Sequence, residues 1–129
     1  WKLLIGSLVM LIGGYAGEAG YVSAMVGFIV GMAGWIYILF EIFSGEAGQL
    51  AAKAGNKSLQ TAFSAMRIIV TVGWAVYPLG YMFGYLTSGG ADVNTLNIVY
   101  NAADFLNKIA FGLIIWACAM QNTSARATR

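Results

Sequence analysis

The chain has 129 residues, 60% hydrophobic and 9% charged, with a net charge of +2. Soluble domains average about 25% charged residues, and a soluble fold of this size has no means of hiding so much apolar surface, so the composition points to the membrane class. The weak positive charge offers no grip on nucleic acid. The absence of histidine and the single Cys118 leave no zinc site and no intrachain disulfide. With no histidine base, phosphate-binding loop or metal cluster either, an enzyme is not expected.

A spanning helix needs about 20 mostly apolar residues, and four segments qualify. The first covers about residues 1–19 and opens "WKLLIGSLVMLIGG". It has neither an initiator methionine nor the layered pattern of a signal peptide. Its first residue already stands at the mouth of a helix, so the chain reads as a piece of a longer or cut one. Met10 and Gly14 stand at i, i+4.

The second segment covers about 22–43. Gly27 and Gly31 form a small-xxx-small pair, which serves either close helix packing or, at Gly31, room for a bulky ligand. Phe28, Gly31 and Trp35 share a face at i, i+3 and i+7. The stretch "SGEAGQLAAKAGNKS", residues 44–58, reads as a polar loop. Glu18, Glu41 and Glu46 read as solvated or headgroup-level charges.

The third segment covers about 59–86. In "GWAVYPLGYMFGY", Trp74, Tyr77, Pro78 and Tyr81 fall at i, i+3, i+4 and i+7 on one face. Pro78, the chain's one proline, removes a backbone hydrogen bond in mid-span and is expected to kink the helix. Such an aromatic stripe serves packing or a cavity wall, and two tyrosines facing inward need polar partners. After the turn-rich "TSGGADVN", the fourth segment covers about 95–120. Its tail, "QNTSARATR", is polar and expected to fray. Cys118 reads as a small packing residue.

Lys2, Lys53, Lys57, Arg67, Arg126 and Arg129 all fall on one side if the four segments alternate, while the opposite loops carry Glu18 and Asp92. The positive-inside rule makes the basic side, with both chain ends and the 44–58 loop, cytoplasmic.

The fourth segment is unusual. At about 100° per residue, Asn97, Tyr100, Asn101, Asp104, Asn107 and Lys108 share one face, and Phe111 continues it. A wet stripe on a lipid-embedded helix points to a bundle interior. Asp104 and Lys108 are neighbours at i, i+4. They form either a self-neutralising ion pair or working parts, and a buried pair adds little net stability. A desolvated lysine amine is a nucleophile toward carbonyls and forms a Schiff base with an aldehyde. If that imine is protonated it needs a counterion, which Asp104 can supply. Tyr100, Asn101 and Asn107 can hydrogen-bond the carboxylate, water or backbone.

The combination "GWAVYPLGY" and "YNAADFLNKIAFGLIIW", with "GYAGEAG" and "WIYILFEIFSGE" before them, resembles the last four helices of a microbial rhodopsin of the proteorhodopsin group. The resemblance covers nearly the whole chain. It implies an all-α membrane protein, a seven-helix bundle holding all-trans retinal as a protonated Schiff base, of which this chain supplies the C-terminal part. Lys108 is then the retinal lysine and Asp104 the second member of the counterion. Trp74, Tyr77, Pro78 and Tyr81 line the chromophore, and Phe28, Gly31, Trp35, Met10 and Gly14 match other walls. Tyr81 and Asn107 depart from bacteriorhodopsin and match proteorhodopsins.

The implied function is a light-driven ion pump exporting protons. A sensory photoreceptor and a sodium or chloride pump are the alternatives within the family. A four-helix transporter or assembly subunit, using Asp104–Lys108 as an ion relay without cofactor, is the alternative outside it. The implied setting is a bacterial inner membrane. The implied partners are three more helices, which carry the proton acceptor and donor, the lipid bilayer and further copies in a homo-oligomer.

Overall fold

The computed structural model describes residues 1–90 and 92–127, with side chains through residue 124. All regular structure among the described residues is helical: α1 Lys2–Glu18, α2 Ala24–Phe43, α3 Glu46–Lys53, α4 Lys57–Ile68, α5 Val76–Tyr81 and α6 Val93–Ala127. α4 passes into α5 through a widened, π-helical turn at Ile69–Gly73, and α5 into a second at Met82–Leu86. Ala24–Lys53, Lys57–Leu86 and Val93–Ser124 are each long and apolar enough to cross a membrane. α1 has 17 residues, about 26 Å at the helical rise, the lower edge of the spanning range.

Three sequence expectations change, two of them on the extent of helices. The 44–58 stretch is not all loop, because Glu46–Lys53 forms α3. Alanines and leucine favour a helix there. Glu46 in the first turn and Lys53 in the last oppose the helix dipole's ends favourably. The tail does not fray at residue 121, since α6 continues to Ala127. Thr123 and Ser124 hydroxyls donate back to the carbonyls of Ala119 (3.0 Å) and Met120 (3.1 Å), a bond these side chains can make without leaving the helix. Arg129 and the side chain of Arg126 lie outside the described residues.

Glu41 is not a solvated charge: its side chain is 5% exposed. It accepts the backbone N–H of Glu46 (3.2 Å), an otherwise unpaired donor at the start of α3, and lies 3.8 Å from the Lys2 ammonium. Glu46 stays exposed and holds Lys2 at 3.1 Å. The carboxylate is thus an internal cap joining α1, α2 and α3. Nearby, Asn56 caps α4 by accepting the Leu59 N–H (3.1 Å) and donates to Asn122 of α6 (2.8 Å). Lys2, α3, the start of α4 and the end of α6 therefore share one end of the bundle.

Glycine decides how closely α1 and α2 approach. A Cβ on Gly27 would come within 2.6 Å of the Gly17 Cα, and one on Gly34 within 2.6 Å of the Met10 backbone N. Gly31 is looser, with its nearest α1 atoms at 3.5 Å. So Gly27 makes close backbone contact, while at Gly31 a Cβ would meet α1 at ordinary van der Waals distance; both glycines line the cavity of the bundle. Beyond this seam, Ile38, Ile42 and Val70 form a buried cluster with Met10, Leu39, Phe63 and Trp74 packed on it, which fixes the Lys57–Leu86 rod against α2.

Gly27→Val should force α1 and α2 apart, since the three opposing atoms, from Gly17 and Gly13, all belong to backbone and cannot move aside. A loss of about 1–3 kcal/mol is expected, read as a lower unfolding midpoint of the complete protein in detergent. Gly14→Ala, with nothing within 4 Å of its Cβ position, should leave that midpoint near the parent value.

Candidate functional site

The α1–α2 pair, the Lys57–Leu86 rod and α6 surround a cavity of about 880 Å³, within the range of small-molecule sites. Its walls are mostly apolar. Met10 and Gly14 come from α1, Phe28, Gly31 and Trp35 from α2, and Trp74, Tyr77, Pro78 and Tyr81 from the rod. From α6 come Tyr100, Asn101, Asp104, Asn107 and Lys108. Every residue singled out from the sequence for a site therefore lines the same space. Asn97, placed on the same stripe of α6, is exposed and does not reach the cavity.

The polar groups are confined to one wall. The Lys108 ammonium donates to Asp104 Oδ2 at 2.5 Å, one helical turn away. The Tyr77 hydroxyl donates to Asp104 Oδ1. Asp104 is thus held by donors from two different elements, one of them across the cavity. The Lys108 side chain is 76% exposed, because no further described element covers that flank.

Both inward tyrosines of the rod have polar partners. Tyr77 has Asp104, and the Tyr81 hydroxyl donates to the Ala24 carbonyl (3.0 Å) at the start of α2. Tyr81 is 5% exposed, its ring tilted against those of Phe28 and Tyr85 with centroids 5.7 Å and 4.9 Å away. The Tyr100 phenol and the Asn107 amide of α6 reach the rod's backbone, not the carboxylate. Tyr100 donates to the Tyr77 carbonyl (3.2 Å) and Asn107 to the Gly73 carbonyl (3.0 Å). Asn101 lines the cavity without a hydrogen-bond partner among the described residues.

Residues not singled out for the site also line it: Ser7, Leu11, Tyr15 and Glu18 from α1, Met32 from α2 and Gly112 from α6. The α1 set was within reach of sequence reading. Ser7, Leu11, Gly14 and Glu18 recur at helical spacing. Among apolar neighbours, though, only Glu18 is chemically distinct, and it stands at a helix end.

These features define an integral membrane helical bundle whose apolar, aromatic cavity presents one lysine and one carboxylate. A model of the bacteriorhodopsin-like protein family matches residues 1–122, and the chain belongs to that family. It is 51% identical over 124 residues to the blue-light absorbing proteorhodopsin of Gamma-proteobacterium Hot 75m4, a match covering 95% of this chain and 49% of that protein. Among solved structures, it resembles a blue light-absorbing proteorhodopsin from Med12, with a TM-score of 0.76 and 53% identity, over 95% of this chain and 54% of that one. Exiguobacterium sibiricum rhodopsin matches with a TM-score of 0.84 and 29% identity, over 96% and 58% respectively. The chain spans about half the length of the relatives it matches.

Tyr81→Phe keeps the ring that packs on Phe28 and removes its bond to Ala24. A stability loss of about 0.5–1.5 kcal/mol is expected, measured by denaturant unfolding of the complete protein. An unchanged midpoint would mean that the hydroxyl does not tie the rod to α2.

Proposed function

We propose that this chain is the retinal-holding part of a light-driven proton pump, with Lys108 as the covalent attachment point and Asp104 as counterion. One observation carries the reading: a lysine amine paired to a carboxylate at 2.5 Å on the wall of an otherwise apolar, aromatic cavity. The residues fit a long, flat, apolar aldehyde. Gly14 leaves open space, Gly31 adds no bulk to the wall, Phe28, Trp35, Trp74 and Tyr81 offer flat faces, and the amine stands where an aldehyde can reach it. When bound, retinal supplies absorption of visible light and a change of shape. Asp104 balances the positive charge on the Lys108 nitrogen, and Tyr77 holds one oxygen of that carboxylate so that the other faces Lys108. Once further helices close the exposed flank of Lys108, the apolar walls would keep water from the nitrogen and strengthen the charge interaction.

Proton export, as the choice among ions, is supported by the likeness to proteins named as proteorhodopsins. The same likeness supports a bacterial inner membrane. The end bearing Lys2, Lys53 and Lys57 is assigned to the cytoplasm. Three further helices, from the rest of the polypeptide or a second chain, close the flank on which Lys108 is exposed and carry the proton acceptor and donor.

In the complete, retinal-supplied protein, Lys108→Ala should abolish the visible absorption band and light-driven transport together. A retained band sinks the attachment site. Illumination of cells or liposomes carrying the parent protein should acidify the side opposite the Lys53–Lys57 end. A visible band without a pH change would point to a sensor, and a pH change that vanishes in sodium-free or chloride-free medium to another ion.

A further inference from the structure

The Lys57–Leu86 rod departs from α-helical bonding around Trp74, and Pro78 accounts for part of the departure. An α-helical residue 78 would donate its N–H to the Trp74 carbonyl, and proline has none. The Tyr77 N–H takes that acceptor instead, at 3.1 Å. That turns the Tyr77 N–H, which in an α-helix would reach the Gly73 carbonyl, toward Trp74. On the other side, the Trp74 N–H reaches back five residues to the Ile69 carbonyl at 3.0 Å. The Val70 carbonyl, its α-helical acceptor, is therefore passed over as well. Trp74 thus sits where a wide turn meets a tight one.

Two carbonyls of this turn, Val70 and Gly73, each accept a hydrogen bond from a side chain of a different helix. The Trp35 indole N–H of α2 donates to Val70 at 2.9 Å. The Asn107 amide of α6 donates to Gly73 at 3.0 Å. Inside a bilayer no water is at hand to replace either bond, so a bare carbonyl there is costly. A Cβ on Gly73 would collide with the Asn107 amide oxygen, so glycine at this position lets the amide approach the backbone. Both donors also line the cavity, as does the Trp74 ring that their bonds flank.

We propose that Trp35 and Asn107 are a pair of positioning residues that clamp the widened turn and so set the Trp74 ring against the cavity's occupant. The coupling runs both ways. A change in the occupant's shape that displaces either side chain frees a carbonyl of the rod, and the backbone bonding around Trp74 must then rearrange. Lys108 follows Asn107 directly in sequence, so the attachment point and one clamp are adjacent residues of α6. This inference rests on the retinal reading for the identity of the occupant, but the clamp itself does not.

The test uses the complete protein in lipid, with carbonyl-labelled glycine and amide-labelled tryptophan. Within this chain the label pairs select Gly34–Trp35 and Gly73–Trp74, and Gly34 serves as internal reference. In the dark, Asn107→Ala should move the Gly73 carbonyl resonance to that of a group without a donor and leave Gly34 in place. Asn107→Gln should restore it in part. Trp35→Phe keeps an aromatic ring, removes the donor and should shift Val70, labelled through the Val70–Thr71 pair, while leaving Gly73 unmoved. These dark readouts need no chromophore. In retinal-loaded protein the return from the illuminated state should change about fivefold in each variant, the worth of one net hydrogen bond. An unmoved Gly73 in Asn107→Ala, or an unmoved Val70 in Trp35→Phe, overturns the clamp. Shifted carbonyls with unchanged return kinetics overturn the coupling to the occupant. Absence of a visible band in the parent protein overturns the retinal reading and leaves the dark-state result standing.

Discussion

Asp104 is the group on which the site depends. A carboxylate in an apolar cavity is tolerated only when its oxygens have donors or counter-charges, and here each oxygen has its own: Tyr77 from the rod and Lys108 from the next turn of α6. That pair of bonds aligns two elements. It orients the Tyr77 ring across the cavity, and it holds the lysine amine on the cavity side of α6. The net energy of such an arrangement is small, because desolvation offsets most of the attraction. Its value lies in the fixed positions of the amine and the carboxylate.

Packing around the cavity follows from where bulk is absent. Gly17 and Gly27 bring α1 and α2 into backbone contact, and Gly14, with open space at its Cβ position, lines the cavity beside that seam together with Gly31. The aromatic residues of the rod fill the far wall. Tyr81 is locked by Phe28, Tyr85 and Ala24, while Trp74 joins the cluster of Ile38, Ile42 and Val70. The cavity is therefore bounded by a tight seam on one side and an irregular rod on the other. Irregularity is confined to the element whose backbone borrows donors from its neighbours.

Much of this site was legible beforehand. The i, i+4 spacing of Asp104 and Lys108, and the i, i+3, i+4, i+7 spacing of Trp74, Tyr77, Pro78 and Tyr81, follow from helical geometry alone. Partners were harder to read. Tyr100 and Asn107 were open to bonding carboxylate, water or backbone, and both chose carbonyls of the rod. Glu41 looked like a headgroup-level charge and instead caps α3 from a buried position. In each case the decisive atom is a backbone group whose availability depends on how a neighbouring element ends or widens.

The sequence by itself determined the membrane setting, the helical rods and the face of α6 on which the acid and the base stand. Hydropathy and period are local properties, set by residues within a few turns of each other. Only the tertiary structure decided that Gly27 sits tight in the seam while Gly31 stands off from α1, that residues 46–53 form a helix, and that Trp35 and Asn107 reach Val70 and Gly73. Those outcomes turn on distances between atoms far apart in the chain and on carbonyls released by a change of helical register, which no spacing rule along one segment encodes.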